Sequence, residues 1–461
     1  MLCVVVKGPT YEEAYQQINE AQKYADLVEL RLDFFESVNG EQLKLLRALM
    51  IPMIFTWKSP QLDHSYFEMI RRIASLNPEY LDLECDVPLD FLNELETSHP
   101  EVKVILSYHD FLETPENLDN ILEQLRKKPA FFYKIALMAK NSLDAMRLLC
   151  WAKEIAENII AISMGSFGQI SRILGPIIQS PIVYASVNDQ ENMWGQLSAK
   201  ILIDQYQFRK VSSKTAIYGL IGNPVTQSIS DETHNSFFES CELDAVYVKI
   251  PIVSSELPQF LEYAKQLGFK GCSVTMPLKE SIVNYLKEID SQALEIGAVN
   301  TLVLRDDHWI GFNTDGIGAL KAIEKHFSVA KKRVGLIGAG GAAKAIAYEA
   351  KRSGAFVTII NRTAEKAEIV AKQLDCNAQG LEGMNDYVSN GYDLLINCTP
   401  NGMPIEAKYL LSQALIMDIT TKPKETEFLV QAKDKGCLVI YGYEMFAEQA
   451  YCQFKLWFTK L

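Results

Sequence analysis

The sequence contains no C-x-x-C pair and no H-E-x-x-H run, although it has nine cysteines and six histidines. Paired spacings of these kinds are the usual sequence signature of a zinc site. We therefore expect no metal centre. The cysteines are scattered and odd in number, which is typical of reduced thiols in a cytoplasmic protein rather than of a disulfide framework.

A long apolar run and an excess of positive charge are also missing. No stretch approaches the roughly 18 apolar residues of a membrane span, and the segment MLCVVVKGPTYEEAYQQ has no basic region that would indicate a signal peptide. The net charge of −13 at pH 7 opposes binding to nucleic acid or to an anionic membrane. We therefore expect small molecules as partners, and neither nucleic acid nor a membrane.

The first half of the chain alternates short apolar runs with amphipathic helical segments. The 461 residues suggest roughly three domains of about 150 residues each. Eight runs are rich in β-branched or aromatic residues: LCVVVK from Leu2, LVELRL from Leu27, PMIFTW from Pro52, YLDLEC from Tyr80, VKVILSYH from Val102, FFYKIAL from Phe131, IIAISMG from Ile159 and PIVYASV from Pro181. This alternation predicts an α/β protein whose N-terminal domain, residues 1–208, is a (β/α)8 TIM barrel.

Lys134 lies inside the apolar run FFYKIAL. In an edge strand such a lysine would simply face solvent, but a closed barrel has no edge strand. Burial disfavours an ammonium and so favours the neutral amine. A neutral amine attacks ketones to form a Schiff base. Lys134 is therefore a candidate nucleophile.

Other polar residues fall near the carboxyl ends of the predicted strands, where barrel enzymes place their chemistry. A histidine, with a reference pKa of about 6.5, suits proton transfer near neutrality. His109, one strand away from Lys134, is therefore the candidate base, and Glu84 is placed to orient it. Arg172 suggests a substrate carboxylate, which a guanidinium binds with two hydrogen bonds. The candidates for the barrel site are Glu29, Arg31, Lys58, Glu84, His109, Lys134, Arg172 and Gln196.

The runs ELR, DLEC, SYHDF, FFYKIA, MG…SR and GQ together resemble type I 3-dehydroquinate dehydratase over roughly residues 1 to 205. The resemblance implies that Lys134 forms an imine with the C3 ketone of 3-dehydroquinate, without an added cofactor. It implies that His109 takes a C2 proton and then protonates the departing C1 hydroxyl. Glu29 and Arg31 would hold ring hydroxyls, and Arg172 and Gln196 the carboxylate end. Two positions depart from the family pattern: Lys58 replaces the usual arginine, and Asn192 replaces a serine in the loop that covers the substrate.

A polar segment, QYQFRKVSSKTA at about residues 205–216, ends the barrel pattern. Strands are then predicted near 216–222, 245–251, 270–275 and 298–304, and they form an α/β substrate domain over residues 214–316.

A Rossmann domain follows over residues 317–440. Its signature is G-x-G-x-x-A at Gly338, Gly340 and Ala343, between the strand RVGLI and a helix, with a second strand FVTIINRT behind it. The alternative interpretation of this glycine pattern is a tight turn between strand and helix that binds no ligand.

The end of that second strand indicates the cofactor. The strand ends in Asn361, Arg362 and Thr363 rather than in Asp or Glu. A carboxylate there would accept the ribose 2′-hydroxyl of NAD, whereas an arginine pairs with a 2′-phosphate. We therefore expect NADP. The candidate cofactor-binding residues are Gly338, Gly340, Gly341, Ala342, Ala343, Asn361, Arg362, Thr363, Thr399, Met403 and Gly442.

The order GNP…S-x-S, VTMP-x-K, GAVNT, FNTDG, GAGGAA, NRT and NCTPNGM resembles shikimate dehydrogenase over roughly residues 214 to 461. The resemblance implies a C-terminal helix, residues 441–461, that returns to the substrate domain. It implies that Lys279 and Asp315 are the catalytic pair. It assigns substrate binding to Ser228, Ser230, Thr275, Asn300 and Gln449. Asp231 replaces the usual proline after S-x-S, and Thr421 stands where a tyrosine is common.

Both resemblances in one chain match the plant-type bifunctional arrangement. The sequence therefore predicts dehydration of 3-dehydroquinate to 3-dehydroshikimate in the barrel, followed by NADPH-dependent reduction of that product to shikimate. One alternative is a non-catalytic regulator that senses the metabolites on the same two folds. Another is a class I aldolase in the barrel, since such an enzyme would use its lysine in the same way.

Overall fold

The computed structural model describes residues 1–155, 158–189 and 195–458. The chain divides into two compact units. The first consists of Met1–Ala216, Asn235–Ile250 and Gln259–Gly268, and the second of Ile217–His234, Pro251–Pro258 and Phe269–Leu461.

The first unit contains the predicted barrel. Its strands are β1 (Leu2–Val6), β2 (Leu27–Arg31), β3 (Met53–Thr56), β4 (Tyr80–Glu84), β5 (Lys103–Asp110), β6 (Phe132–Met138), β7 (Ile159–Met164) and β8 (Val183–Ser186). Its helices are α1 (Tyr11–Ala21), α2 (Gly40–Arg47), α3 (His64–Ala74), α4 (Leu89–Ser98), α5 (Leu118–Leu125), α6 (Ser142–Ile155), α7 (Ile170–Ile173) and α8 (Ala199–Asp204). The prediction of eight strands alternating with helices is confirmed.

The barrel strands are ordered β7-β6-β5-β4-β3-β2-β1-β8, and β8 pairs in parallel with β1. The ladder therefore runs almost all the way round, with β7 and β8 as its two ends. The strand that carries Lys134, β6, pairs with β5 on one side and with β7 on the other. Lys134 is accordingly only 4% exposed.

The barrel core consists of side chains from alternate positions of the strands, because every second side chain of a strand points to the same face. The inward-facing residues form one buried apolar cluster of Cys3, Val5, Leu27, Ile54, Tyr80, Ile105, Phe132, Ala136, Ile160, Ile162, Met164, Ile182 and Tyr184. Local capping, as well as burial, determines where the helices begin. At α1, Thr10 accepts a hydrogen bond from the backbone of Glu13, and the Glu13 carboxylate accepts one from the backbone of Thr10.

The next elements are the strands β9 (Ala216–Gly222), β10 (Ala245–Pro251), β11 (Phe269–Val274), β12 (Glu288–Ile289), β13 (Thr301–Arg305) and β14 (His308–Phe312). The helices are α9 (Ser230–Ser240), α10 (Leu257–Leu267), α11 (Leu278–Ser281), α12 (Ser291–Ile296) and α13 (Asp315–Glu324). In the second unit the strands lie in the order β9-β11-β13-β14-β12. The four strands predicted for this region leave out β12 and β14, and β14 forms an antiparallel hairpin with β13.

A parallel sheet follows, with strands β15 (Arg333–Ile337), β16 (Phe356–Asn361), β17 (Asn377–Gly380), β18 (Leu394–Asn397), β19 (Leu415–Asp418) and β20 (Leu438–Ile440). Its helices are α14 (Gly341–Arg352), α15 (Ala364–Leu374), α16 (Met384–Ser389) and α17 (Glu427–Asp434), and α18 (Gly442–Phe458) ends the described chain. The strand order β17-β16-β15-β18-β19-β20 is that of the doubly wound dinucleotide-binding fold. The predicted Rossmann fold is confirmed.

No helix in the described part of the chain is long and apolar enough to cross a membrane. The same described residues contain no group of three or more metal-ligating side chains placed to hold an ion.

Candidate active sites

The first candidate site is a cavity of about 270 Å³ in the carboxyl half of the barrel. All eight residues predicted for the barrel site line it: Glu29, Arg31, Lys58, Glu84, His109, Lys134, Arg172 and Gln196. Four strands (β2, β4, β5 and β6), together with the segments after β3, β7 and β8, thus bring their polar side chains to one place. Asn192, the predicted departure in the covering loop, lies outside the described residues.

A chain of ion pairs crosses this cavity. Lys134 Nζ lies 2.5 Å from Asp82 Oδ2, and Asp82 Oδ1 lies 2.6 Å from Lys58 Nζ. Lys58 Nζ also lies 2.6 Å from Glu84 Oε1, and the same carboxylate lies 3.0 Å from His109 Nδ1. The candidate nucleophile and the candidate base are therefore joined through alternating positive and negative groups.

These contacts shift the pKa values of the buried groups. Burial alone would raise the pKa of the Asp82 carboxyl, but Lys134 and Lys58 outweigh burial and hold that pKa well below its usual range. Burial likewise opposes ionisation of Glu84, yet the His109 hydrogen bond and the Lys58 charge lower its pKa to about 2. Burial, assisted by the Lys58 charge, lowers the pKa of His109 below its ordinary 6.5. At neutral pH both carboxylates are ionised and the imidazole is neutral, so His109 can accept a proton.

The remaining cavity residues are held by local contacts. Glu29 accepts a hydrogen bond from Thr56 Oγ1 at 2.8 Å, and Arg31 donates two hydrogen bonds to Asp33 at 3.0 and 2.7 Å. Arg172 is 3% exposed, and burial lowers its pKa to about 10. Its guanidinium donates to the carbonyl of Ser163 and to Ser171 Oγ. The guanidinium is thereby fixed at the cavity wall.

Sequence reasoning missed Asp82. The residue is fully buried and contacts both lysines, although only its neighbour Glu84 was singled out. A signal was present, since the spacing D-x-E in YLDLE places both carboxylates on the same face of β4. The aromatic ring of Tyr184 was also missed. Its centroid lies 4.8 Å from Lys134 Nζ, within the range of a cation–π contact.

The His109 environment predicts the acid limb of the dehydration profile. A base with a lowered pKa stays unprotonated to lower pH, so we expect kcat/KM to hold through neutrality and to fall only below pH 6.5. Lys58→Met removes a charge that lowers this pKa, so the acid limb should move to higher pH. Lys103→Met, at the surface pair with Glu79, is the matched control. An identical acid limb in both variants would show that Lys58 does not tune the base.

The second candidate site lies in the second unit, around Lys279. Lys279 Nζ lies 2.5 Å from Asp315 Oδ2, and Asn300 Nδ2 donates to Asp315 Oδ1 at 2.8 Å. Asn300 also donates to Gln449 Oε1 at 3.4 Å. Four of the predicted residues thus form one connected group. Asp315 and Asn300 are 5% and 2% exposed, so this carboxylate orients the ammonium from a largely dry position.

The glycine-rich turn lies directly beside this group. A Cβ on Gly341 would come within 3.1 Å of Lys279 Cβ and 3.2 Å of Ala298 Cβ, so a side chain here would crowd Lys279. Gly338 has a φ of +121°, and at Gly340 an added Cβ would enter open space. A turn that opens on one side at the start of a helix fits a pyrophosphate, which takes the helix N-terminus and its free N–H groups. The turn therefore fits the pyrophosphate of a dinucleotide such as NADP.

The other predicted cofactor residues lie at or after the carboxyl ends of β15, β16, β18 and β20. Arg362 and Thr363 are exposed directly after β16, and the half-buried Asn361 ends that strand. Thr399 Oγ1 donates to Asn397 Oδ1 at 2.8 Å, which fixes the loop after β18. Met403 lies further along this loop, Ala342 and Ala343 lie in the first turn of α14, and Gly442 begins α18.

The predicted substrate serines lie close together at the start of α9. Ser228 Oγ and Ser230 Oγ are 2.8 Å apart. Asp231, which replaces the usual proline, is 1% exposed. Thr275 follows β11 directly and packs against Gly222, where an added Cβ would lie 2.3 Å from Thr275 Cγ2. Thr421 is half-buried in the loop after β19.

Two further residues of this site were missed. Thr314 Oγ1 accepts a hydrogen bond from Asn300 at 3.0 Å, and the motif FNTDG contains it beside Asp315. Gln453 accepts a hydrogen bond from Ser273 at 2.8 Å and donates one to Asn300 O at 3.1 Å. It follows Gln449 by one helical turn, so a search of α18 at four-residue spacing could have found it.

Three family models match the chain in succession. Residues 2–213 match type I 3-dehydroquinase, residues 220–302 match the shikimate dehydrogenase substrate binding domain, and residues 321–431 match shikimate / quinate 5-dehydrogenase. The barrel cavity and the Lys279 site each fall within or beside the segment that its predicted family covers.

Relatives of nearly full length exist. The chain is 36% identical over 462 residues to the shikimate biosynthesis protein AroDE of Chlamydia pneumoniae, covering 99% of this chain and 95% of that protein. It is 33% identical over 499 residues to the chloroplastic bifunctional 3-dehydroquinate dehydratase/shikimate dehydrogenase of Arabidopsis thaliana, covering 100% and 82%. A crystal structure of shikimate dehydrogenase in complex with NADP+ matches 54% of this chain and 91% of its own, with 38% identity and a TM-score of 0.51.

A barrel with a buried lysine, and a Lys–Asp pair beside the glycine-rich turn of a Rossmann fold, define an α/β enzyme with two candidate sites in one chain. The chain belongs to the family of bifunctional proteins that join a type I 3-dehydroquinate dehydratase to a shikimate dehydrogenase. The predicted fold class, the two activities and NADP as cofactor are confirmed. None of the relatives named here is described as a regulator, and the barrel matches a dehydratase family rather than an aldolase.

Proposed function

We propose that Lys134 and His109 carry out the dehydration and that Lys279 and Asp315 carry out the reduction. The observation that supports the first assignment is the ion-pair chain from Lys134 to His109 along a single cavity. The observation that supports the second is the 2.5 Å contact of Lys279 with a buried carboxylate beside the glycine-rich turn.

In the barrel, Lys134 gives up its ammonium proton and attacks the C3 ketone of 3-dehydroquinate as the neutral amine. That proton returns to the departing oxygen, so that one water leaves as the protonated imine forms. The imine withdraws electrons and acidifies the C2 proton, which neutral His109 removes. The resulting enamine expels the C1 hydroxyl, and His109 returns its proton to that leaving group. Water then hydrolyses the imine and releases 3-dehydroshikimate and the free lysine. The net change is the loss of one water molecule.

The other cavity residues bind the substrate in this proposal. Arg172 and Gln196 hold the carboxylate end, and Glu29 and Arg31 hold ring hydroxyls. Glu84 holds His109 by the Nδ1 atom, which leaves the other ring nitrogen to face the substrate. Lys58, in place of an arginine, keeps the positive charge but lacks the planar fork that binds a carboxylate with two hydrogen bonds.

Borohydride trapping tests the barrel assignment. We expect borohydride added with 3-dehydroquinate to fix the ligand mass on the peptide that carries Lys134. His109→Ala should still form this adduct, while elimination slows by about 10²–10⁴-fold, the usual contribution of a positioned acid–base group. Modification of a different lysine, or of none, would contradict the assignment.

In the second site, Ser228 and Ser230 bind the carboxylate of 3-dehydroshikimate, and Thr275, Asn300 and Gln449 bind its hydroxyls. The glycine-rich turn, Arg362 and Thr399 hold NADPH, which when bound supplies a hydride to the ketone carbon. Negative charge then develops on the ketone oxygen. Lys279 stabilises that charge and donates the proton, and Asp315 keeps the ammonium in place.

Arg362 gives a test of cofactor selection. Arg362→Asp should weaken NADPH binding far more than NADH binding, because a carboxylate repels the 2′-phosphate yet accepts a hydrogen bond from a 2′-hydroxyl. The ratio of kcat/KM values for the two cofactors measures the effect. Lys366→Asp in the same segment introduces the same charge change without replacing the arginine at the strand end. An equal loss with both cofactors would contradict the role of Arg362.

We further propose that the chain acts in the cytoplasm on small molecules alone, without nucleic acid or membrane partners. Its nine cysteines are free thiols, which supports a reducing compartment. We also propose domain boundaries at residues 208, 214, 316 and 440. Residues 205–216, between the end of α8 and the start of β9, support the first of these.

A further inference from the structure

Asp82 lies at the centre of the barrel cavity chain and has no role in the mechanism above. It is fully buried, and each of its oxygens has a lysine and a serine as partners. Oδ2 lies 2.5 Å from Lys134 Nζ and Oδ1 lies 2.6 Å from Lys58 Nζ, while Ser107 Oγ lies 2.9 Å from both oxygens.

Stability alone does not account for this arrangement. Removing charges from water costs several kcal/mol for each ion, so a buried ion pair is weak support for a stabilising role. Replacing a whole buried ionic group by apolar residues of similar volume is often neutral or stabilising. The carboxylate is instead aimed at the one nitrogen where the proposed chemistry takes place.

We propose that Asp82 is a positioning residue of the dehydratase, which fixes Lys134 Nζ and keeps the imine formed on it protonated. This inference rests on the proposed imine at Lys134. The neutral amine carries no charge, whereas the protonated imine carries a positive charge on the same nitrogen. A carboxylate within about 4–6 Å favours the charged form, and only the charged imine withdraws enough electron density to acidify C2.

The second oxygen of Asp82 connects this carboxylate, through Lys58 and Glu84, to the candidate base His109. Lys58 contacts Asp82 and Glu84 at the same 2.6 Å, and Glu84 holds His109. Asp82 therefore fixes the nucleophile and the base relative to one another through fixed ionic contacts. Such fixed geometry supplies part of the rate of an enzyme, because reacting groups need not be oriented anew at each turnover.

Charged and titratable groups face Lys134 Nζ from every side, and Asp82 is the nearest of them. They are Cys3 on β1, Glu29 on β2 at 3.9 Å, Lys58 after β3, Asp82 on β4, His109 on β5 and Tyr184 on β8. Glu29, the second carboxylate, already accepts a hydrogen bond from Thr56. Loss of Asp82 should therefore leave the imine nitrogen without its main counterion.

The test is the pH dependence of imine trapping in Asp82→Asn. Cyanoborohydride delivers a hydride to the protonated imine, so the trapped mass on Lys134 reports that species. With 3-dehydroquinate as the probe, we expect the alkaline limb of trapping to move to lower pH by about one unit or more. The kcat for dehydration should fall by at least about 10²-fold, as for loss of one fixed electrostatic group, while KM changes little.

Ser107→Ala is the matched control, because it removes a hydrogen bond to Asp82 without removing the charge. It should leave the alkaline limb in place. If Asp82→Asn does not fold, as judged by circular dichroism and by reduction of supplied 3-dehydroshikimate, the double variant Asp82→Asn/Lys58→Met restores the charge balance. It should shift the limb in the same direction by a smaller amount, because Lys134 Nζ still loses the carboxylate that it contacts.

An unshifted limb in a folded variant would overturn the role of Asp82. Absence of any adduct on Lys134 in the unaltered chain would instead overturn the proposed imine itself. The two failures are therefore distinguishable.

Discussion

Lys134→Ala should abolish dehydration of 3-dehydroquinate, because no other residue in the mechanism supplies an amine for the imine. Without the imine, the C2 proton is not acidified and His109 has nothing to abstract. We expect dehydration to drop below detection in an assay that follows the absorbance of the conjugated product. Reduction of supplied 3-dehydroshikimate should continue at the normal rate, since Lys279 and its partners belong to the other unit.

Lys103→Met is the control for this prediction. Lys103 lies on β5 of the same barrel but forms a surface pair with Glu79, and such pairs contribute about 0–1 kcal/mol. Its loss should leave dehydration unchanged. Residual dehydration by Lys134→Ala close to the normal rate would contradict the Schiff-base mechanism and reopen the question of which residue is the nucleophile.

Lys279→Ala should reduce the rate of 3-dehydroshikimate reduction by at least about 10²-fold, as for removal of one donor to a developing oxyanion. Asp315 would then lie buried without the ammonium that it now contacts at 2.5 Å. We expect the loss chiefly in kcat, because the ammonium acts on charge that develops only in the transition state. NADPH oxidation at saturating substrate measures the effect.

The exposed pair of Lys408 with Glu406 gives the matched control, and Lys408→Ala should reduce normally. Dehydration should be unaffected in both variants. If Lys279→Ala also stopped dehydration in a chain that remains folded by circular dichroism, the two sites would not be independent. Mixing the Lys134→Ala and Lys279→Ala chains should restore shikimate formation through released intermediate.

Much of the fold could be read from local patterns. The eight barrel strands are short and bounded, so their periodicity alone places them within a few residues. The hairpin of β13 and β14 was missed because its turn has no glycine. Asp306 and Asp307 adopt φ values of 44° and 62°, as a two-residue hairpin turn of the primed type requires, and the sequence R-D-D-H does not carry the usual Asn-Gly or Asp-Gly signal.

The candidate sites were predicted where a polar residue interrupts an apolar run, as Lys134 does. Asp82 could not be placed in the same way, because its role depends on which strands are neighbours and on their register. In the barrel, Ser107 on β5 is paired with Glu84 on one side and with Lys134 on the other. Only that register brings Asp82 between two lysines. Gln453 depends in the same way on how α18 packs against β11 and β13.

The central claim is that one chain performs two consecutive reactions. The most direct measurement supplies the purified chain with 3-dehydroquinate and NADPH and follows both NADPH absorbance and the organic products. The account predicts that NADPH is consumed after a lag in which 3-dehydroshikimate forms, and that shikimate accumulates in equal amount to the NADPH oxidised. Conversion of 3-dehydroquinate without NADPH oxidation, or no conversion at all by a folded chain, would contradict it.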